Sequence, residues 1–244
     1  MSSNIYGQST KESYRTDIED SRKQKTLYKN YEYFDDYSYG NSTKMGMWVK
    51  KNKDKYSVVF FQENGPQTVE TLKKLLEWRR SGNSNEVGHK GGGNKRNIYG
   101  FEAEKVTIVS KIDETEALIC ETKPNDLYNL SKSDIDELTF RNVADSSTYI
   151  KCPEIKDIDE DLPSWYKNYY NQITEECELQ PDYLIRMDMS QLPDEYTDKN
   201  LWNEFINQVR AKQYSIPIYF KNERLNMDKY ENYDNIDLVG FNDD

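Results

Sequence analysis

Two apolar runs joined by a short polar link restrict how this chain can fold more than any other feature. Residues 43–51 read TKMGMWVKK, and residues 55–63 read KYSVVFFQE. Both runs have the composition of strands, and the link NKD between them is short enough for the chain to turn back at once. The sequence therefore predicts a β-hairpin in this region.

The remainder of the chain mixes helical and strand patterns. Helices are predicted at VETLKKLLEWRR (69–80), LPSWYKNYYNQITEECE (162–178) and DKNLWNEFINQVRAKQY (198–214), and strands at EALICETKP (116–124), STYIKCPEI (147–155), DYLIRMDMS (182–190) and SIPIYFKN (215–222). The last strand is expected at a sheet edge, where Pro217 is tolerated. This order predicts a two-layer α/β sandwich, in which helices cover one face of a mixed, mostly antiparallel sheet.

Composition bounds the domain organisation. The 244 residues are enough for one large domain, and 20 Tyr, 8 Phe and 4 Trp supply bulky core side chains although only 35% of residues are hydrophobic. We predict a disordered tail over residues 1–15, a folded domain over residues 16–225 and an acidic tail over residues 226–244.

Charge and cysteine usage exclude several classes of function. The net charge of −11 disfavours non-specific binding to nucleic acid, although residues 73–96 carry a local balance of +5. Three widely spaced cysteines and one histidine cannot build a usual zinc site. With a polar N-terminus and no apolar run of roughly 20 residues, we expect an intracellular protein of the cytoplasm or nucleus that is neither secreted nor membrane-bound.

The stretch EVGHKGGGNKRNIYGF begins at Glu86 and joins a flexible segment to a basic one. Gly88, Gly91, Gly93 and Lys95 spell G-x-x-G-x-G-x-K. Because glycine lets backbone N–H groups approach an anion closely, this loop is a candidate phosphate site, and the alternative is a mobile surface loop. The missing Gly-Lys-Ser/Thr excludes a Walker A loop. The preceding helix disfavours a dinucleotide fingerprint, which follows a strand.

The order of elements around this loop resembles that of the GHKL ATPases, which are built on the Bergerat ATP-binding fold. A helix, two strands, an ENG turn, a second helix, a glycine lid and a strand pair follow one another. The lid, SGNSNEVGHKGGGNKRNIYGFEAEKVTIVSK (81–111), is most similar to MORC-type lids. The resemblance covers residues from about 30 to 110, and more loosely to about 225, and implies that the domain binds ATP.

The resemblance also implies roles for one acidic helix. In the family, a Glu activates the attacking water, and an Asn four residues later binds Mg²⁺. The segment EYFDDYS offers Glu32 and Asp36 at that spacing, on one helix face. Glu32 is then the general base. Asp36 is the magnesium ligand, as an Asp in place of the family's Asn. The alternative is an exposed acidic helix end.

Nucleotide contacts follow from the same resemblance. The lid would hold the phosphates through Gly88, Gly91, Gly92, Gly93, Asn94 and Lys95. The family's D-x-G-x-G motif corresponds to ENGPQ, so Glu63 replaces the Asp that accepts the adenine amino group, Gly65 is the first glycine and Gln67 replaces the second. A late Gly-Thr beside adenine has two candidate positions, Ser147–Thr148 and Asp182–Tyr183.

These assignments predict a slow, Mg²⁺-dependent ATPase whose lid closure drives a conformational or dimerisation switch. The alternative is a degenerate scaffold or assembly protein of the same fold without ATP turnover. A third hypothesis, nucleic-acid association through residues 73–96, is disfavoured by the overall negative charge.

Overall fold

One eight-stranded sheet organises the molecule. The computed structural model describes residues 33–34, 41–76, 102–124, 150–212 and 214–226. The strand order is β5-β4-β3-β6-β2-β1-β7-β8. The strands are β1 (Lys44–Asn52), β2 (Lys55–Glu63), β3 (Lys105–Lys111), β4 (Glu116–Thr122), β5 (Ile150–Asp157), β6 (Tyr183–Met189), β7 (Ile218–Phe220) and β8 (Glu223–Arg224). Only the β1–β7 pair is parallel among these strands, which confirms the mixed, mostly antiparallel sheet.

The predicted hairpin is confirmed. Strands β1 and β2 pair along their full length, from Lys44 opposite Glu63 to Asn52 opposite Lys55. The chain reverses at Lys53, whose φ of 51° lies in the left-handed region that tight hairpin turns require.

Three helices pack on this sheet within the described ranges. They are α1 (Val69–Leu76), α2 (Ser164–Cys177) and α3 (Lys199–Ala211), with a 3-10 turn at Asp194–Tyr196 before α3. Asp198 caps α3 by accepting hydrogen bonds from the backbone of Asn200 and Leu201. Helix α2 follows Pro163 and ends at Cys177, and the next residue, Glu178, has a left-handed φ of 49°.

Helices cover both faces of the sheet, whereas the sequence predicts cover on one face. Helix α3 and the helical residues Tyr33 and Phe34 share a core with Phe60, and we call this side the α3 face. Helix α2 packs against Phe61 and its neighbours on the opposite side, the α2 face. The cause lies in β2, where four consecutive apolar residues, VVFF, put hydrophobic surface on both faces, and both must be removed from water. The α/β sandwich itself is confirmed.

The last strands extend the sheet beyond the predicted edge. Strand β7 lies between β1 and the two-residue strand β8, so β7 is not the outermost strand. Pro217 stands just before β7, where its missing N–H removes no ladder bond, and its carbonyl accepts from the Met45 N–H. Among the residues described, no helix is both long and apolar enough to cross a bilayer.

Candidate functional site

Two of the predicted site residues, Glu63 and Gly65, lie within the described part of the chain. The others lie outside it, namely Glu32, Asp36, Gly88, Gly91, Gly92, Gly93, Asn94 and Lys95. The meeting of the acidic helix and the glycine lid at one triphosphate therefore stays a prediction. The two residues that follow Glu32 in the sequence, Tyr33 and Phe34, are described. Tyr33 packs on Phe60 on the α3 face, with ring centroids 4.3 Å apart.

The ENG turn at the end of β2 is built from two left-handed residues. Asn64 has φ 59° and Gly65 has φ 78°. Asparagine and glycine are the residues that adopt this region at least cost. The Asn64 side chain donates to Thr43 Oγ1 at 3.1 Å, which ties the turn to the start of β1. The backbone reversal at ENG is thus encoded locally.

The start of β6 meets this turn. The Asn64 N–H donates to Asp182 Oδ2 at 2.9 Å, between residues 118 positions apart in sequence. The Asp182 N–H donates to the Gln62 carbonyl at 3.0 Å, and the Asp182 carbonyl accepts from the Lys111 N–H at 2.7 Å. Of the two candidate positions for the late element, the structure brings Asp182 to the turn, while Ser147 and Thr148 lie outside the described residues.

Gln67, which the sequence analysis matches to the second glycine of the ENG motif, tethers the turn to β3. Its N–H donates to Ser110 Oγ at 2.6 Å, and its Nε2 donates to the Gly65 carbonyl at 2.8 Å. A glycine here would supply the backbone bond but not the second one. The Gln67 side chain therefore closes the turn on itself.

Glu63 is held on the α2 face. It alternates with Phe61, which packs in the α2 core. Its Oε2 accepts from Thr43 Oγ1 at 2.7 Å, and its Oε1 accepts from the Gln180 N–H at 3.1 Å, three residues beyond the last residue of α2. Both carboxylate oxygens already have donors within the protein, so the carboxylate joins β1, β2 and the segment after α2.

At the same turn, the side chain of Gln62 points to the α3 face, opposite to Glu63. The sequence analysis did not identify Gln62 as a residue of this turn. Its side chain is 1% exposed. Nε2 lies 3.4 Å from the carbonyls of both Asn64 and Gly65, whereas no donor from the described residues reaches Oε1. Strand alternation was the available signal, because Gln62 is the first polar side chain after Phe60 on that face.

A separate pocket of about 360 Å³ lies on the α2 face. The charged residues of its lining are two cations, Lys111 and Lys167, and two anions, Glu114 and Asp159. Lys167 pairs with Asp159 at 2.8 Å. Burial raises the pKa of Tyr166, which also lines the pocket, so its hydroxyl stays protonated. The pocket contains none of the predicted site residues.

No metal centre is formed by the residues that can be described. Within those ranges, no group of three or more His, Cys, Asp or Glu side chains is arranged to hold an ion. The predicted ligand Asp36 lies outside them.

Comparisons with known proteins give a likeness of fold. No family model and no curated protein matches the chain. The ATPase region of Saccharomyces cerevisiae topoisomerase II bound to ICRF-187 (dexrazoxane) aligns with 83% of this chain and 49% of its own, at 10% identity and a TM-score of 0.44. A second structure of that region aligns at 11% identity and a TM-score of 0.43, covering 82% of this chain and 48% of its own. The chain thus spans about half the length of these structures.

Proposed function

We propose that this chain is an ATP-binding protein of GHKL type. The observation that carries the proposal is the hydrogen bond between Asn64 and Asp182. The resemblance assigns both the ENG turn and the start of a late strand to the surroundings of one adenine, and Asn64 and Asp182, which are far apart in sequence, lie side by side there. The mixed α/β sheet and the helical residues beside Glu32 on the α3 face are consistent with this role.

In this proposal the adenine end lies at the ENG turn and the phosphate end at the glycine lid. Lys95 and the lid amides would hold the phosphates, and Asp36 would serve as the Mg²⁺ ligand. The metal supplies charge neutralisation for phosphoryl transfer. Glu32 would orient a water toward the terminal phosphate, so that turnover depends on positioning and charge. Coupling of lid closure to dimerisation would make ATP a conformational switch.

Nucleotide binding is tested by thermal unfolding with Mg-ATP, Mg-ADP and a non-hydrolysable ATP analogue. A ligand present at about 100 times its Kd stabilises the folded chain by about 2.7 kcal/mol. We expect such a shift with ATP and with the analogue. No shift at millimolar nucleotide would refute the proposal.

Turnover is tested separately by phosphate release. We expect Glu32→Ala to abolish release while ATP still stabilises the fold, because the base contributes to chemistry and not to binding. Lys95→Ala is expected to weaken ATP more than ADP, since it is assigned to the γ-phosphate. Equal losses for both nucleotides would contradict that assignment.

A second candidate function is a scaffold of the same fold without turnover. It is favoured by the engaged carboxylate of Glu63 and by the closed turn at Gln67. Binding of ATP without phosphate release would identify a pseudo-ATPase. The absence of any nucleotide effect, together with a stable dimer or a captured partner, would favour the scaffold.

A further inference from the structure

The pocket on the α2 face lies where three segments of the chain meet. Lys111 and Glu114 belong to the hairpin of β3 and β4, Ile158 to the link between β5 and α2, and Tyr166 and Tyr170 to the first turns of α2. Small-molecule sites in proteins are typically clefts of about 300–1,000 Å³. A volume of about 360 Å³ therefore admits a small organic molecule.

The charged groups around this pocket differ in whether the protein already uses them. Lys167 is held by Asp159, since it pairs with the carboxylate at 2.8 Å and donates to the carbonyl at 3.0 Å. Lys111 has no carboxylate partner among the described residues, and its ammonium lies 5.3 Å from the centre of the Tyr170 ring. Asp113, on the same hairpin, accepts instead from backbone N–H groups of its own turn. The charge of Lys111 is therefore available to a ligand.

Tyr166 adds a buried hydroxyl to the wall of the pocket. Its side chain is 2% exposed, and no group in the described part of the chain hydrogen-bonds the hydroxyl. Burial raises the pKa of Tyr166, so the hydroxyl remains protonated and able to donate. A buried donor without an acceptor is unfavourable, and a ligand oxygen would satisfy it.

We propose that this pocket binds a small organic acid with a flat apolar body, whose carboxylate accepts from Lys111 and Tyr166. Ile158 and the ring of Tyr170 supply the apolar contact. Because Glu114 and Asp159 also line the pocket, a polyanion such as a triphosphate would face two like charges. The carboxylate has two possible sources, a simple acid or a free amino acid, whose ammonium group would face Glu114.

The experiment titrates the full chain with hydrocinnamate and with its neutral isostere hydrocinnamamide, and ligand-detected NMR measures binding. The acid is expected to bind about tenfold more tightly than the amide, because only the acid makes a charge-assisted bond to Lys111. L-Phenylalanine, which adds an ammonium group to the same skeleton, distinguishes the two sources. Tighter binding than hydrocinnamate identifies an amino acid, and weaker binding identifies a simple acid.

Two variants each remove one contact. Lys111→Met keeps the aliphatic stem and should abolish the preference for the acid, whereas Tyr166→Phe removes only the hydroxyl and should weaken hydrocinnamate several-fold. Lys51→Met is the control for the first, because its ammonium lies over the Tyr56 ring at 5.7 Å, outside the pocket. Tyr169→Phe, at a buried ring of α2 that does not line the pocket, is the control for the second. Both controls should bind as the native chain does, and unchanged melting temperatures would show that all four variants are folded.

The outcomes separate this inference from the proposal of ATP binding. Loss of the preference in Lys111→Met, together with weaker binding by Tyr166→Phe, supports the inference. No binding at millimolar ligand, equal binding of acid and amide, or native behaviour of either variant would overturn it. Displacement of hydrocinnamate by inorganic triphosphate would also overturn it, because the site would then be one for polyanions. Failure of Mg-ATP to bind would refute the proposed function and leave this site standing, since the predicted nucleotide contacts are not among the described residues that line the pocket.

Discussion

The two sides of the ENG turn differ in how their polar groups are satisfied. On the α2 face, the carboxylate of Glu63 accepts from Thr43 and from the backbone of Gln180. On the α3 face, one residue earlier, Oε1 of Gln62 is buried, and no group in the described part of the chain donates to it. A carboxylate that accepts from two other segments holds those segments together, whereas a buried acceptor without a donor lowers stability. Adjacent residues in one strand can therefore have opposite roles.

The same contrast extends to the helices above each face. Trp48 Nε1 and Cys177 Sγ on the α2 face both donate to the Lys221 carbonyl, at 3.0 and 3.1 Å. Arg186 lies over the rings of Trp165 and Tyr169 and pairs with Asp188 at 2.7 Å. The α3 face is dominated by apolar side chains that include packed aromatic rings such as Trp202 and Phe220, with centroids 4.6 Å apart. The α2 face thus holds charges by pairing them, and the α3 face is mainly apolar.

The largest expected effect tests whether the two faces form one cooperative unit. Trp48→Ala on the α2 face and Trp202→Ala on the α3 face remove side chains that are at most 1% exposed. Each should lower the free energy of unfolding by about 3–5 kcal/mol, through lost burial and the cavity left behind. Urea unfolding measures both.

Ile155→Ala is the control for this comparison, because its side chain is 58% exposed and its loss should change stability by less than about 0.5 kcal/mol. A large loss for Trp202→Ala with none for Trp48→Ala would show that α2 docks as a separate, weaker unit.

A smaller effect is expected at Glu63. Glu63→Ala removes two hydrogen bonds to a charged group, and we expect a loss of about 1–3 kcal/mol without nucleotide, again by urea unfolding. Glu223→Ala, at an exposed carboxylate of β8, is the matched control and should have little effect. If Glu63→Ala left the free energy of unfolding unchanged but weakened ATP binding, Glu63 would contact the nucleotide rather than hold the segments together.

The smallest effect concerns the thiol on the α2 face. Burial, with a contribution from Glu176, raises the pKa of Cys177 to about 12, well above the ordinary thiol value of about 8.5. The unfolded chain therefore loses this proton first as pH rises. The buried, protonated thiol therefore contributes fully to the free energy of unfolding below its ordinary pKa, and this contribution is lost as pH rises toward 12.

Unfolding free energies of the native chain and of Cys177→Ala, compared from pH 8 to 11, test this expectation. The native curve should fall more steeply, because only the native chain carries the shifted thiol. Parallel curves would mean that Cys177 titrates normally and that the α2 face admits water at this position.

Much of the fold could be read from local pattern. The hairpin of β1 and β2 was predicted nearly to its ends because apolar strands and a short polar link are local signals. Helices α2 and α3 lie within the predicted ranges 162–178 and 198–214. The run VVFF in β2 indicates that both faces of the sheet are buried, but the sequence analysis predicted a two-layer sandwich with helices on one face only. The outer position of β8 was not foreseen, since a two-residue strand has no pattern of its own.

Only part of the candidate site could be predicted from local sequence patterns. Asn64 and Gly65 identify the turn because few residues other than Asn and Gly adopt its left-handed backbone easily. The partner of the turn was left open between two late positions, because a contact spanning 118 residues has no local signal. The pairing of β2 with β6 brings Asp182 to Asn64, and that pairing depends on how the whole sheet is covered.

The sequence by itself determined the local elements of this protein: the hairpin, the ENG turn and the helices α2 and α3. Each follows from the conformational limits of a few neighbouring residues. The tertiary structure alone decided that β6 lies beside β2, that both faces are buried, and that both carboxylate oxygens of Glu63 accept hydrogen bonds while Oε1 of Gln62 has no donor among the described residues. Such outcomes depend on which distant segments exclude water from each face, and strand alternation then divides adjacent side chains between two environments.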